Sequence, residues 1–244
     1  MSTTYVLVHG AWMGKFAWDE VVPRLTALGH SAVAVELPGH GEDNSPLAEQ
    51  TLANYRATVI KAVEAQSEPV VLVGHSMGGM VISEVAEAIP DQLKTLVYVA
   101  GYLPQNGDTL LALASQDQGS LITAAGANPT LLFAPDYSTS TIAQSAIESV
   151  FCADCDRQHV QRLIDRHKPE AGAPFSAAAT LTSQNFGKVR KVYIETWQDK
   201  AVSHQLQRLM LSKTPVDKTL TLDSSHSPFF SMPDALVAHL TNLD

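Results

Sequence analysis

Six short apolar runs recur along the chain, at residues 5–8, 31–35, 70–73, 93–99, 189–194 and 218–222. Each has the length of a strand and is rich in Val, Leu or Ile. The runs are continuous rather than alternating, which predicts strands buried on both faces, as in a parallel sheet covered by helices. Between several of them lie segments with helical spacing, such as 52–65 and 80–88. Strand and helix in alternation predict an α/β architecture: a mostly parallel, doubly wound, six-stranded sheet with its strand C-termini along one edge.

One stretch breaks the rhythm. Residues 105–188 are rich in Ala, Ser, Thr and Gln, hold helix-like pieces at 141–150 and 157–167, and show no strand pattern. A long excursion between two sheet strands reads as a lid over the sheet edge. The expected organisation is a core of residues 1–104 and 189–244 with a mainly helical lid at 105–188.

Composition narrows the function. Hydrophobic residues make up 45% of the 244 and charged residues 17%, enough for a large core and too little charge for a disordered chain. The net charge of −9 excludes the basic face that nucleic acid needs and gives no polybasic anchor for a membrane. Residues 1–4 run directly into the first apolar run, with no signal-like segment before it and no membrane-length run later. A cytoplasmic enzyme is expected. The two cysteines, Cys152 and Cys155, lack further ligands at zinc spacing and a preceding strand of thioredoxin type. They are read as packing residues, free thiols acting as small hydrophobes.

The chemistry starts at Gly74-His75-Ser76-Met77-Gly78, a G-x-S-x-G element between a predicted strand and a predicted helix. Such a turn lifts a serine hydroxyl above the sheet as a nucleophile, and a serine needs a base to take its proton. Of nine histidines, His226 follows the last predicted strand and so reaches the same sheet edge. His75 adjoins the serine, but neighbouring side chains diverge in a sharp turn. His9 and His40 read as loop-shaping residues. The base needs a carboxylate, and Asp199, in the loop after the 189–194 run, gives the chain order Ser, Asp, His. Glu195 and Asp108 are the competing acids, while Asp223 suits a turn. Backbone N–H groups of Met77 and Ala11, the latter beside Gly10, are the candidates to hold a developing oxyanion.

These pieces carry a resemblance. Residues 7–12 with Trp18, Leu37-Pro38-Gly39-His40-Gly41, the serine element, Gln198-Asp199-Lys200 and Ser225-His226-Ser227 resemble the α/β-hydrolase superfamily. Within it they resemble the small esterase and hydroxynitrile lyase group, which includes plant methylesterases and bacterial carboxylesterases, some of them pyrethroid hydrolases. The resemblance spans nearly the whole chain. It implies a catalytic triad of Ser76, Asp199 and His226 with no cofactor or metal. Lyases of this group carry a threonine after the first strand and a lysine after the histidine; this chain has Gly10 and Ser227 there.

Trp12, Phe175 and Phe229 are the candidate pocket residues, and no basic residue is evidently aimed at a substrate carboxylate, since Lys15 and Arg56 read as surface. The expected partner is therefore a small, uncharged, fairly hydrophobic ester, with neither nucleic acid nor membrane. A homodimer is the one protein assembly left open. The rival readings are a hydroxynitrile lyase using the same triad and a ligand-binding receptor on a hydrolase scaffold.

Overall fold

The computed structural model describes residues 2–124 and 129–243. Six parallel strands form the main sheet: β1 (Thr4–Val8), β2 (Ser31–Val35), β3 (Val70–His75), β4 (Leu93–Val99), β8 (Lys191–Thr196) and β9 (Lys218–Leu222). Their order is β2-β1-β3-β4-β8-β9, and every pairing is parallel. The interior strand β3 is buried at every position, whereas the edge strand β9 alternates. That contrast is what a sheet covered on both faces requires. A fully buried Val or Leu contributes about 1.5–3 kcal/mol, so β3 is the centre of the core.

The helices of the core are α1 (Val21–Ala27), α2 (Leu52–Glu64), α3 (Gly78–Ala88), α8 (His204–Lys213), α9 (Pro228–Ser231) and α10 (Pro233–Thr241). Helix α1 packs on α10, and α2 packs on α3. With right-handed crossovers, the two pairs lie on opposite faces. The chain leaves β1 toward β2, then crosses back to β3 on the other side of β1. That reversal opens a crevice between the C-terminal ends of β1 and β3, where α/β sheets place their ligands.

The segment between β4 and β8 holds helices α4 (Leu110–Ala114), α5 (Ile147–Phe151), α6 (Arg157–Arg166) and α7 (Ala173–Ser176). It also holds a small antiparallel sheet of β5 (Leu131–Phe133), β6 (Thr139–Ile142) and β7 (Glu170–Ala171), in the order β5-β6-β7. This corrects the expectation of a strandless lid and of a helix over 141–150. Residues 139–142 pair with two other strands instead, and the helix starts only at Ile147. Strands of two to four residues leave too little alternation to be visible in sequence. The eighth strand also starts two residues later than the apolar run, because residues 186–188 form a single 3-10 turn ahead of it.

The reading of free cysteines is corrected as well. Cys152 and Cys155 are joined in a disulfide. Helix α5 ends at Phe151, and the turn that follows, closed by Cys155 N–H on the Cys152 carbonyl at 3.1 Å, brings their Cα atoms to 5.1 Å. That separation suits a bridge. No helix among the described residues is long and apolar enough to cross a membrane.

Candidate active site

Strand β3 ends in the turn that carries Ser76. Ser76 has φ of +52°, a left-handed conformation that costs a non-glycine residue about 1–2 kcal/mol. The turn closes tightly: a Cβ on Gly74 would meet the Gly78 carbonyl oxygen at 2.6 Å. The strain persists because the surroundings hold it. Ser76 N–H donates to the Val99 carbonyl at 3.3 Å, and its own carbonyl accepts from Gly79 and Tyr102 N–H at 2.9 and 3.0 Å.

The loop after β1 runs directly over this turn, since Val8 pairs with Gly74 in the ladder. A Cβ on Gly10 would lie 2.8 Å from the Ser76 Cβ, so only glycine lets the loop pass this close. His9 shapes the loop, as expected. Its Nδ1–H donates to the Gly10 carbonyl at 2.8 Å, and its Nε2 accepts the Leu37 N–H at 3.1 Å. Both bonds fit a neutral ring. Burial and then the nearby His40 push its pKa down to about 3, with the Gly10 carbonyl opposing. Ala11 and Met77 both line the cavity beside Ser76. Among the described residues, neither backbone N–H is committed to another acceptor. Both are free to meet a ligand oxygen.

The loops after β8 and β9 are zipped together beyond the sheet. Thr196 pairs with Leu222, Trp197 N–H donates to the Leu222 carbonyl, and Gln198 N–H donates to the Ser224 carbonyl, both at 3.0 Å. This brings Asp199 to His226: Asp199 Oδ2 accepts from His226 Nδ1 at 2.7 Å, with both side chains buried. Asp199 is fixed on its other sides by Thr196 Oγ1 at 2.8 Å and by the N–H groups of Ala201 and Val202 at 2.8 and 2.9 Å. The competing acids are engaged elsewhere. Glu195 pairs with His204 at 3.0 Å, and Asp108 accepts from Gln105 N–H in its own turn. Asp223, expected in a turn role, instead accepts from the Gln198 side chain across the two loops at 2.8 Å.

His75 links the serine turn to the histidine loop. Its Nε2–H donates to the His226 carbonyl at 2.8 Å, and the two rings lie 4.4 Å apart between centroids. Burial, and then the His226 ring, hold His75 well below the usual imidazole pKa, so it is neutral. Sequence reasoning discounts this residue as the base. Its contact runs through the backbone of His226, which no motif reveals.

The cavity over Ser76 is walled by both core and inserted segment. Trp12 and Phe175 line it, 5.6 Å apart between ring centroids. Phe229 does not, which corrects its expected place. It is buried under the site against Trp18, His75 and Phe230, because the short helix α9 turns it inward. Sequence reasoning missed Tyr102, Leu110, Asp117, Ile122 and Val202 on the cavity wall. Among the described residues Asp117 is the only charged one there, and it accepts from both the N–H and the hydroxyl of Ser203. Lys15 and Arg56 lie elsewhere, paired with Glu42 and Glu84. Among the described residues, no group of three or more His, Cys, Asp or Glu is arranged to hold a metal ion.

The alpha/beta hydrolase family pattern matches residues 5–239. The chain belongs to the alpha/beta hydrolase family. Among this hydrolase's relatives, Methylesterase 9 of Arabidopsis thaliana is 27% identical, over 98% of this chain and 97% of that protein. Methyl jasmonate esterase 1 of Vitis vinifera is 28% identical, over 98% and 95%. The crystal structure of polyneuridine aldehyde esterase superposes with a TM-score of 0.88 over 100% of this chain and 99% of that one, at 20% identity. The hydrolase fold is thereby shared over its full length.

Proposed function

We propose that this hydrolase is a serine carboxylesterase acting on an uncharged, fairly hydrophobic ester through an acyl-enzyme. It is an enzyme of the carboxylic ester hydrolase class, the class of its relatives. The observation that carries the mechanism is the 2.7 Å bond from His226 Nδ1–H to Asp199, next to a cavity with Ser76 on its wall. With its Nδ1 proton held by the carboxylate, His226 offers Nε2 as the base. Neither that nitrogen nor Ser76 Oγ is bound to another group among the described residues, so substrate entry can bring them together.

Ser76 Oγ attacks the ester carbonyl while its proton passes to His226 Nε2. The Ala11 and Met77 N–H groups take the charge on the carbonyl oxygen, each donor contributing about 3–4 kcal/mol to the transition state. Protonated His226 then returns the proton to the leaving alkoxide. Water, deprotonated by the same ring, clears the acyl-enzyme. The cavity's apolar wall, with no lysine or arginine among the described residues that line it, favours esters without a carboxylate of their own. At the position of the lyase lysine stands Ser227, buried with its hydroxyl unpartnered, so that position offers no cation to a departing cyanide.

The test is Ser76→Ala on p-nitrophenyl butyrate. A fall in kcat of at least ~10³-fold with an unchanged melting profile is expected. Retained turnover would remove Ser76 as nucleophile.

A further inference from the structure

The disulfide-closed turn at residues 152–155 grips the loop that carries His226. Asp154, inside the turn, accepts from Ser225 N–H through Oδ2 at 3.0 Å and from the Ser225 hydroxyl through Oδ1. The Phe151 carbonyl lies 3.3 Å from the same hydroxyl. The Phe151 ring packs 5.7 Å from the His226 ring and 6.0 Å from Trp12. Ser225 is buried and immediately precedes His226 in the chain. Of the two sulfurs, Cys152 belongs to a fully buried residue, while Cys155 is partly exposed.

We propose that the Cys152–Cys155 disulfide is a thiol–disulfide exchange site that sets the position of the His226 loop, with Asp154 as the positioning residue between them. The inference rests on the esterase reading of the site. A dithiol reductant attacks through its thiolate at Cys155 Sγ, the approachable sulfur. The S–S bond breaks, a mixed disulfide forms, and the Cys152 thiolate leaves and takes up a proton. The reductant's second thiol then displaces Cys155 as a thiol and closes its own disulfide, so two electrons pass from reductant to protein. Without the cross-link the turn loses the constraint that holds Asp154 on Ser225, and His226 loses alignment rather than its partner Asp199. Placement errors near 1 Å cost up to ~100-fold in rate, so a partial loosening is expected to cost about tenfold.

The experiment uses the full chain with p-nitrophenyl butyrate, air-oxidised and after dithiothreitol, with alkylation and mass measurement to count thiols. Reduction is expected to free both cysteines and lower kcat about tenfold. KM should stay within about twofold, and reoxidation should restore the rate. Asp154→Ala should show the same kcat loss while oxidised and no further response to dithiothreitol. Asp154→Asn, which keeps an acceptor oxygen, should fall between. A disulfide that resists reduction in the folded protein, an unchanged kcat after reduction, or wild-type kinetics in Asp154→Ala would each overturn the proposal. Phosphonate labelling of Ser76 in both redox states separates this from the underlying reading. Absent labelling in the oxidised protein would sink the esterase assignment itself.

Discussion

The parallel-sheet core and the segment inserted between β4 and β8 are held by different physics. The core coheres through continuous apolar strands: β1, β3 and β4 are almost wholly buried. The inserted segment has buried apolar residues too, but carboxylates mark where it meets the core. Asp117 binds Ser203, Asp154 binds Ser225, and Glu170 binds His40 and Tyr55 at 2.7 and 2.6 Å. Apolar contact is non-directional and tolerates sliding, whereas a hydrogen-bonded carboxylate fixes one register. A roof that must hold a cavity open over Ser76 gains from the second kind of attachment. On the proposed esterase reading, the chemistry falls to core loops, and the inserted segment supplies part of the wall that fits the substrate.

The sharpest way to break that division is Asp199→Asn. An asparagine can donate to His226 Nδ1 and trap the wrong tautomer, so kcat should fall about 10⁴-fold with little change in KM. Phe175→Ala, on the cavity wall, should instead raise KM for bulky acyl esters and spare kcat for short ones. If the two variants exchange these signatures, core and roof do not divide the work in this way.

Glu170→Ala tests the attachment itself. It leaves His40, whose pKa burial lowers but the Glu170 carboxylate raises to a net increase, buried without its counter-ion. Breaking such a pair costs about 3–5 kcal/mol. The loss should appear first as protease cleavage within residues 105–188, ahead of global unfolding. Leu72→Ala, in the middle of β3, should cost about 2–5 kcal/mol as a single cooperative loss seen by every probe. Parallel loss of both regions in Glu170→Ala would mean that they unfold as one unit.

The same contrast explains what was legible in the sequence. Four of the six main strands were read within one residue at both ends, because burial on two faces writes an uninterrupted apolar run. The contact between Asp199 and His226 was legible because each follows a strand at the same edge as Ser76, and strand ends converge there. The inserted segment was not. Residues 131–133, 139–142 and 170–171 are strands only because they find one another, and none is long enough to show a period. Phe229 was misplaced because it follows His226 by only three residues in the chain, yet helix α9 points it beneath the site. Asp154 and Glu170 carry no signal in the sequence, since their partners lie 71 and 115–130 residues away.

Two neighbouring imidazoles give the smallest and most pointed test of the contrast. His9 and His40 lie 5.0 Å apart between centroids, one serving the core and one the roof. His9 is held neutral, with its folded pKa at about 3, below the ~6.5 of an unfolded histidine. Its contribution is complete above pH 6.5 and is lost as pH falls toward 3, by up to ~1.4 kcal/mol per pH unit. His40 is raised, so its contribution is complete below pH 6.5 and is lost as pH rises through its folded value. Acidification therefore weakens the loop over Ser76 while leaving the Glu170 attachment charged on the imidazole side. Urea unfolding at pH 6, 5 and 4 should show a falling stability in the wild type and a shallower fall in His9→Asn. The asparagine places an amide where Nδ1 meets the Gly10 carbonyl and does not titrate. Equal slopes in the two proteins would show that protonation of His9 is not what acid exploits, and that the core loop is less sealed from water than its buried ring requires.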